Sequence, residues 1–254
     1  MLFGKIEIYD GWGYATMESF YANPEKRVDI EVNGKRYCRH SIRTHFITPK
    51  EDYIEIVKQY VAPLYQLGDV LSISEKVIAL CQNRVLDMHD IKVSWWARFL
   101  SRFVKMTPAG ESVGNPYKMQ IAIDSAGLPR ILLAAAVAAV TRPFGIKGMF
   151  YRVAGHGIAG IDGFCTDAFE WYLTKGILVP DKPHEVCNEI KTKLGINCMI
   201  VDANDLDVEI LGHSKDLPYS IQDLKALIRD NPAGQGSEQT PLVLIRPATQ
   251  SASA

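Results

Sequence analysis

A run of closely spaced glycines lies between Gly145 and Gly163. This stretch holds six of the nineteen glycines in the chain and reads G-I-K-G-M-F-Y-R-V-A-G-H-G-I-A-G-I-D-G. Glycine costs conformational entropy and adds no packing area, so such a run indicates unusual backbone angles or a close approach to a ligand. We therefore expect a binding site beside this stretch.

Composition excludes several classes of protein. The 254 residues are 47% hydrophobic and 22% charged, which is typical of a globular chain, and the net charge of -1 gives no general attraction to nucleic acid. The apolar run from Ile131 to Val140 is far shorter than the ~20 residues that span a bilayer and predicts a buried helix. The first residues show no export signal. We expect a cytoplasmic protein with no nucleic-acid or membrane partner.

Patterns along the chain predict a mixed architecture. Residues Val28 to Thr48 alternate around Asn33-Gly34, which favours a β-hairpin. Downstream, helical and strand patterns alternate: a helix at Pro183 to Leu194, a strand at Asn197 to Val201, a helix at Ser220 to Arg229 and a strand at Pro241 to Arg246. This alternation predicts an α/β or α+β fold. Residues 1–41 are interpreted as an N-terminal β-ribbon extension, and residues 247–254 as a disordered tail.

Two aspartates are the best candidates for chemistry. Asp162 lies between Gly160 and Gly163, where a carboxylate stands clear of side chains and is accessible to a hard cation such as Mg²⁺. Asp202 directly follows an apolar strand, and ligands of α/β sheets bind beyond the carboxyl ends of strands. An Asx-turn at Asp162 and a turn cap at Asp202 are the structural alternatives. The loop from Gly234 to Pro241 is a third candidate, or an ordinary surface turn.

Five segments, in their order, resemble the gamma-glutamyl ligase family that adds glutamate to the deazaflavin coenzyme F-420 precursor. They are G-D-V-L-S-I-S-E-K-V-I-A (Gly68 to Ala79), A-G-I-D-G with I-L-V-P-D (Ala159 to Gly163 and Ile177 to Asp181), I-V-D-A-N (Ile200 to Asn204) and G-Q-G-S-E-Q-T-P-L-V-L-I-R (Gly234 to Arg246). The resemblance implies a ligase-like domain over residues 42–246, with a mixed sheet, flanking helices and an intertwined homodimer.

The resemblance also implies a mechanism and a set of site residues. GTP, or ATP, phosphorylates a carboxylate acceptor with the help of Mg²⁺ or Mn²⁺, and the amino group of L-glutamate or another amino acid attacks the acyl phosphate. Asp162 and Asp202 match the catalytic, metal-binding aspartates, and Gln235 matches a third metal ligand. Nucleotide or substrate contacts are implied for Ser74, Arg84, Gly157, Gly160, Asn204 and Gln235.

The sequence departs from the family pattern around Asp202. The family's T-D-T-N-G, followed by arginines, is replaced by V-D-A-N-D-L-D-V-E-I, and S-K-A-E-G-R is replaced by A-L-C-Q-N-R. Three interpretations stay open: a ligase acting on the coenzyme precursor, a ligase acting on another carboxylate such as a folate, and a nucleotide- or metal-binding homologue that lacks ligase activity.

Overall fold

Two β-sheets form the framework of this computed structural model, which describes residues 20–104, 113–155, 157–164, 169–204, 208–234 and 236–248. The main sheet has the strand order β1-β2-β9-β3-β7-β8, and the small sheet has the order β4-β6-β5. The strands are β1 (Asp29–Val32), β2 (Lys35–Ile42), β3 (Val70–Ser74), β4 (Val85–Asp87), β5 (Asp162–Gly163), β6 (Lys175–Ile177), β7 (Cys198–Ala203), β8 (Val208–His213) and β9 (Leu242–Pro247). Strands β3 and β7 are parallel, and the other paired strands are antiparallel.

Eight α-helices lie within the described residues. They are α1 (Tyr53–Tyr60), α2 (Glu75–Cys81), α3 (Trp95–Ser101), α4 (Pro116–Ala126), α5 (Leu128–Thr141), α6 (Met149–Ala154), α7 (Pro183–Leu194) and α8 (Ile221–Leu227). Their ends follow local sequence signals. The Asn115 side chain accepts a hydrogen bond from the Tyr117 N–H at the start of α4, and Gly127, with a φ of 84°, ends that helix. Helices and mixed sheet together confirm the predicted α/β fold class.

The main sheet separates two cores because successive strand residues face opposite sides. In β3, Leu71 and Ile73 face the core that includes α1, α2 and α7, whereas Val70 faces the core that includes α8. A third hydrophobic core lies among α3, α4, α5 and α6 and includes Ile158 and Ile161. The glycine-rich stretch thus runs beside this helical core and leads into β5.

The hairpin predicted around Asn33-Gly34 forms from strands β1 and β2, and residues 1–19 of the predicted N-terminal extension lie outside the described residues. Asn33 and Gly34 adopt the positive φ angles that a tight hairpin turn requires. Strand β2 also pairs with β9, so the hairpin forms one edge of the main sheet. Strand β2 ends at Ile42, one residue beyond the predicted end of the extension. Of the predicted tail, Pro247 ends β9, and residues 249–254 lie outside the described residues.

The prediction of a buried helix at Ile131 to Val140 is wrong with respect to burial. Helix α5 forms there, but it packs on α4 and α6 through one face. Ile131 and Ala134 are fully buried, whereas Leu133 and Val140 are 58% and 66% exposed. The alanine-rich sequence is apolar all round, so its pattern did not distinguish the packed face from the exposed one.

Across the described ranges, no single helix is long and apolar enough to cross a bilayer. Helix α4 and the segment Leu128–Phe144 reach the required length only together, and they are bent by 117°.

Candidate functional site

A cavity of about 750 Å³ lies where strands β3 and β7 end. These strands are parallel and Ser74 pairs with Val201, so the next residues, Glu75 just after β3 and Asp202 near the end of β7, lie at the same edge of the sheet. Both residues line the cavity. Ligands of α/β sheets commonly bind at this edge, beyond the carboxyl ends of parallel strands. The topology therefore supports the placement of Asp202 that the sequence predicted.

Asp162 reaches the same cavity from the small sheet, as the first residue of β5. Its Oδ2 lies 2.7 Å from Lys76 Nζ, and its Oδ1 accepts a hydrogen bond of 2.7 Å from the Gly163 N–H. Burial acts to raise the pKa of this carboxyl, but the charge and hydrogen bond of Lys76 and the Gly163 N–H together hold the pKa below its ordinary value. Asp162 is therefore ionised at neutral pH.

Glu75, which the sequence analysis missed, is a third carboxyl group in the cavity. Burial, followed by the neighbouring charges of Asp202 and Asp162, raises the pKa of Glu75 to about 9. Its Oε2 is buried and has no hydrogen-bond partner among the described residues. The signal that would have found it is its position: Glu75 directly follows the apolar strand β3, and Asp202 directly follows the apolar residues of β7.

Two lysines that the sequence analysis also missed bring positive charge to the cavity. Lys76 comes from the first turn of α2, and Lys118 comes from the first turn of α4. Lys76 Nζ also lies 4.9 Å from the centre of the Tyr172 ring. Lys118 is only 5% exposed, and its charge helps to keep the pKa of Asp162 low. The cavity therefore has oppositely charged groups held close together.

The cavity brings together five of the eight predicted site residues. These five are Ser74, Gly160, Asp162, Asp202 and Asn204. Gln235 lies outside the described residues, although its neighbours Gly234 and Gly236 both line the cavity.

Arg84 and Gly157 are not in the cavity lining, and both contact Val179 instead. Arg84 Nε donates a hydrogen bond to the Val179 carbonyl oxygen, and a side chain at Gly157 would lie 3.2 Å from a Val179 methyl group. Arg84 comes after α2, and that helix carries the chain away from the end of β3. In this structure these two residues make contacts within the protein.

Two glycines of the run between Gly145 and Gly163 pack closely against other parts of the chain. Gly163 has a φ of 89°, and a Cβ there would lie 1.9 Å from the Lys175 carbonyl oxygen in the neighbouring strand. A Cβ at Gly160 would lie 2.4 Å from Val179 Cγ1. These residues must be glycine for β5 to pack closely on β6 and on the Val179 side chain, and that packing positions Asp162 at the cavity.

Aromatic side chains form one side of the cavity. Phe46, Phe169 and Tyr172 line it, with the Phe46 ring centre 5.1 Å from that of Phe169 and 6.1 Å from that of Tyr172. Trp171 also packs on Phe46, with the two ring centres 5.9 Å apart. The cavity thus combines an apolar aromatic wall with a charged end, a combination common in small-molecule sites.

The donor groups fit a hard divalent cation. Asp162 and Asp202 supply carboxylates, Asn204 supplies an amide, and the buried Oε2 of Glu75 supplies a further oxygen without a partner among the described residues. No three His, Cys, Asp or Glu side chains of the described ranges converge as a complete metal-binding group. Mg²⁺ requires no such group, because it binds through one or two carboxylates and completes its coordination with water and substrate phosphates.

Comparison with known proteins identifies the family. The family model for F420-0:Gamma-glutamyl ligase matches residues 41–208. This range contains Asp162, Asp202 and the whole β3-α2 unit, and it ends before the loop at Gly234. No curated protein matches the chain. Because the matched range covers well over half of the chain, and because it includes the carboxylates that meet in the cavity, this protein belongs to the F420-0:gamma-glutamyl ligase family.

Proposed function

We propose that the protein is a nucleotide- and divalent-cation-dependent ligase that forms a gamma-glutamyl-type amide through an acyl phosphate. Family membership implies a ligase enzyme. The observation that carries the finer proposal is the meeting of Asp162 and Asp202 in one cavity, from two different sheets, with Lys76 and Lys118 beside them. Carboxylates with adjacent cationic groups are the parts that phosphoryl transfer requires.

The proposed chemistry takes two steps. An oxygen of the acceptor carboxylate attacks the terminal phosphorus of GTP or ATP, and the nucleoside diphosphate leaves. The amino nitrogen of L-glutamate, or of another amino acid, then attacks the acyl carbon, and inorganic phosphate leaves as the amide forms. A carboxylate is a poor electrophile, and phosphorylation supplies the leaving group that makes the second step possible.

The residues of the cavity have distinct parts in this scheme. Asp162 and Asp202 would hold Mg²⁺ or Mn²⁺, and the cation would neutralise negative charge on the transferred phosphoryl group. Asn204 and Ser74 lie beside them and are proposed to orient the nucleotide or the acceptor, and Gln235 is proposed to contribute another oxygen. The aromatic wall of Phe46, Phe169 and Tyr172 is suited to a flat part of a substrate, on the coenzyme precursor or on another acid with a planar ring.

The test is release of nucleoside diphosphate by purified protein. We expect release only when GTP or ATP, Mg²⁺ or Mn²⁺, an amino acid and an acceptor carboxylate are all present. Asp162→Asn should abolish release, because it removes the anionic ligand without changing the volume of the side chain. Asp90→Asn is the matched control, since Asp90 is exposed and is not in the cavity lining. Inactivity of the unmodified protein against a broad panel of acceptors, or full activity of Asp162→Asn, contradicts the proposal.

A nucleotide-binding homologue without ligase activity is the second candidate. The sequence around Asp202 favours it, because the threonine and the arginines of the family pattern are lost and acidic residues follow Asn204 instead. Calorimetry with GTP and ATP distinguishes the two. Binding without turnover favours this candidate, and failure to bind either nucleotide refutes both.

We also propose that the protein forms a homodimer. The described chain leaves a row of apolar side chains uncovered on and after α5, namely Leu133, Val140 and Phe144, which is 79% exposed. Such exposed apolar surface is typical of subunit interfaces. Light scattering on the purified protein tests this directly.

A further inference from the structure

Helix α3 and the turn after it expose a row of aromatic side chains. Trp95 and Phe103 are each 64% exposed, and Trp96 and Phe99 are each 38% exposed. The rings pack on one another: Trp95 stacks on Phe99 with the ring centres 5.0 Å apart, and Phe99 meets Phe103 edge-on at 5.1 Å. We call these four side chains the aromatic ridge. It forms a continuous apolar strip on the outside of the protein.

The opposite side of α3 already attaches this helix to the protein. Ala97 is fully buried and Leu100 is 8% exposed, and both belong to the helical core that includes Met119 of α4. The aromatic ridge is therefore not needed to hold α3 in place. Large apolar side chains that remain in water contribute little to folding, and when they lie together they mark a surface that binds a protein or a membrane.

Positive charge accompanies the aromatic ridge. Arg98 and Arg102 are exposed, each directly precedes a ring of the ridge, and α3 contains no acidic residue. Residues 95–154, which include α3 to α6, contain eight lysines and arginines and only two aspartates and glutamates, whereas the rest of the chain contains 20 and 27. In the described part of this segment, six basic residues are exposed against one acidic residue, Asp124. The net charge of the whole chain thus conceals a basic segment.

An anionic lipid surface fits this combination best. Helices that lie at a membrane surface place aromatic side chains among the lipid headgroups, and their lysines and arginines attract anionic lipids. Single-stranded nucleic acid fits less well, because its bases stack on open ring faces, and Trp95 and Phe99 stack on each other with only 9° between the ring planes. A protein partner would explain the exposed rings but not the excess of positive charge over the whole segment.

We propose that the aromatic ridge, with Arg98 and Arg102, is a docking surface for an anionic phospholipid membrane. The rings enter the headgroup region, the two guanidinium groups lie beside lipid phosphates, and the protein binds without crossing the bilayer. The sequence predicted no membrane partner from the net charge and from the length of one apolar run, and neither property describes a surface helix. The proposal is independent of the ligase activity, because the ridge residues do not line the cavity.

Sedimentation of the full chain with phospholipid vesicles tests this surface. Vesicles of pure phosphatidylcholine are compared with vesicles that contain equal parts of phosphatidylcholine and anionic phosphatidylglycerol. We expect binding to the anionic vesicles, and we expect added salt to weaken it because salt screens the attraction between charges. Binding should also shift the tryptophan fluorescence to shorter wavelength, since Trp95 and Trp96 would leave water.

Two double variants separate the apolar contribution from the charged one. Trp95→Ser with Phe103→Ser removes the two most exposed rings, and it should weaken binding to the anionic vesicles about tenfold or more. Arg98→Gln with Arg102→Gln removes two positive charges at the surface, and it should weaken the same binding about thirtyfold. All four side chains point outward, so both variants should fold, which circular dichroism checks.

Matched controls make the same changes elsewhere. Lys58→Gln with Lys182→Gln removes the same charge from side chains that are 60% and 62% exposed. Leu67→Ser removes an apolar side chain that is 99% exposed and lies outside the helical segment. Both controls should bind the anionic vesicles nearly as tightly as the unmodified protein does.

Several results would overturn the docking surface. They are failure of the unmodified protein to bind anionic vesicles, equal binding to both kinds of vesicle, and unweakened binding by either folded ridge variant. If the protein binds no vesicle and Trp95→Ser with Phe103→Ser halves its mass in light scattering, the ridge contacts a second copy instead. If it binds a single-stranded oligonucleotide through Arg98 and Arg102 but no vesicle, the partner is nucleic acid. The arginine variant decides the question if the aromatic variant does not fold.

Discussion

Replacement of Glu75 by glutamine should stabilise the protein, by an amount that grows with pH. Burial and the nearby carboxylates raise the pKa of Glu75 to about 9, from an ordinary value of 4.5. At pH 7 the unfolded chain ionises this group and the folded protein keeps it protonated, so folding must take up a proton. Over the 2.5 pH units between 4.5 and 7, at about 1.36 kcal/mol per unit, this costs about 3 kcal/mol of folding free energy.

The sign follows from the direction of the shift. A carboxyl group whose pKa is raised in the folded state has no effect on stability below pH 4.5, where it is protonated in both states. Its destabilising effect grows as pH rises from 4.5 toward 9. Glutamine has the shape of the protonated acid and does not ionise. The free energy of unfolding of Glu75→Gln should therefore match that of the unmodified protein near pH 4.5 and exceed it by about 3 kcal/mol at pH 7.

Urea denaturation from pH 4.5 to pH 9 measures this difference. EDTA is present throughout, because a divalent cation bound by the site would favour the ionised carboxyl group. Glu55→Gln is the control, since Glu55 is 65% exposed and pairs with Lys58 on the surface of α1. A stability difference that is the same at pH 5 and pH 8, or a Gln variant that is less stable at pH 8, would refute the reasoning.

Three further predictions concern the backbone, the charge and the surface. Gly163→Ala should lower the free energy of unfolding by about 3 kcal/mol or more, or prevent folding, because its Cβ would lie 1.9 Å from the Lys175 carbonyl oxygen at a φ of 89°. Gly145→Ala, where a Cβ would have no atom within 4 Å, should lower it by only about 1 kcal/mol. Thermal unfolding compares the two variants, and equal losses of stability contradict the packing argument. Asp162→Asn should lower stability at pH 7, and the loss should shrink as pH falls below 3.8, because the pKa of Asp162 is lowered in the folded state; urea denaturation over this pH range checks the sign. If the protein forms the proposed dimer, Val140→Lys should lower the mass measured by light scattering to that of a monomer, and an unchanged dimer mass places the interface elsewhere.

Much of the fold could be predicted from local sequence signals. Helix α7 has the bounds predicted for it, Pro183 to Leu194, because a proline at its first position and a glycine after its last residue mark its ends. The hairpin at Asn33-Gly34 was predictable for a similar reason. The strand order was not, because no local pattern specifies that β9 inserts between β2 and β3 or that β3 and β7 are parallel.

The candidate site was predictable where a carboxylate follows a recognisable element. Asp202 follows an apolar strand and Asp162 is enclosed by glycines, so both had a signal in the sequence. Glu75 had the same signal as Asp202, since it directly follows the apolar strand β3. Lys118 had none, because its burial depends on α4 packing beside the cavity, and a lysine in a helix is ordinarily a surface residue.

The distance between Asp162 and Asp202 depends on how the two sheets pack, since each aspartate belongs to a different sheet and no strand pairing joins these sheets within the described residues. Two contacts connect the sheets near the site. Ile177 of β6 is 2% exposed and packs in the same core as Val77 and Ile78 of α2, and Lys76 of that helix pairs with Asp162. Helix α2 begins directly after β3, so the main sheet fixes the position of the helix. The contacts of α2 with Ile177 and Asp162 then fix the position of the small sheet. The glycines at 160 and 163 complete this arrangement, because without a side chain they let β5 lie against Val179 and β6 at the depth that brings Asp162 to Lys76.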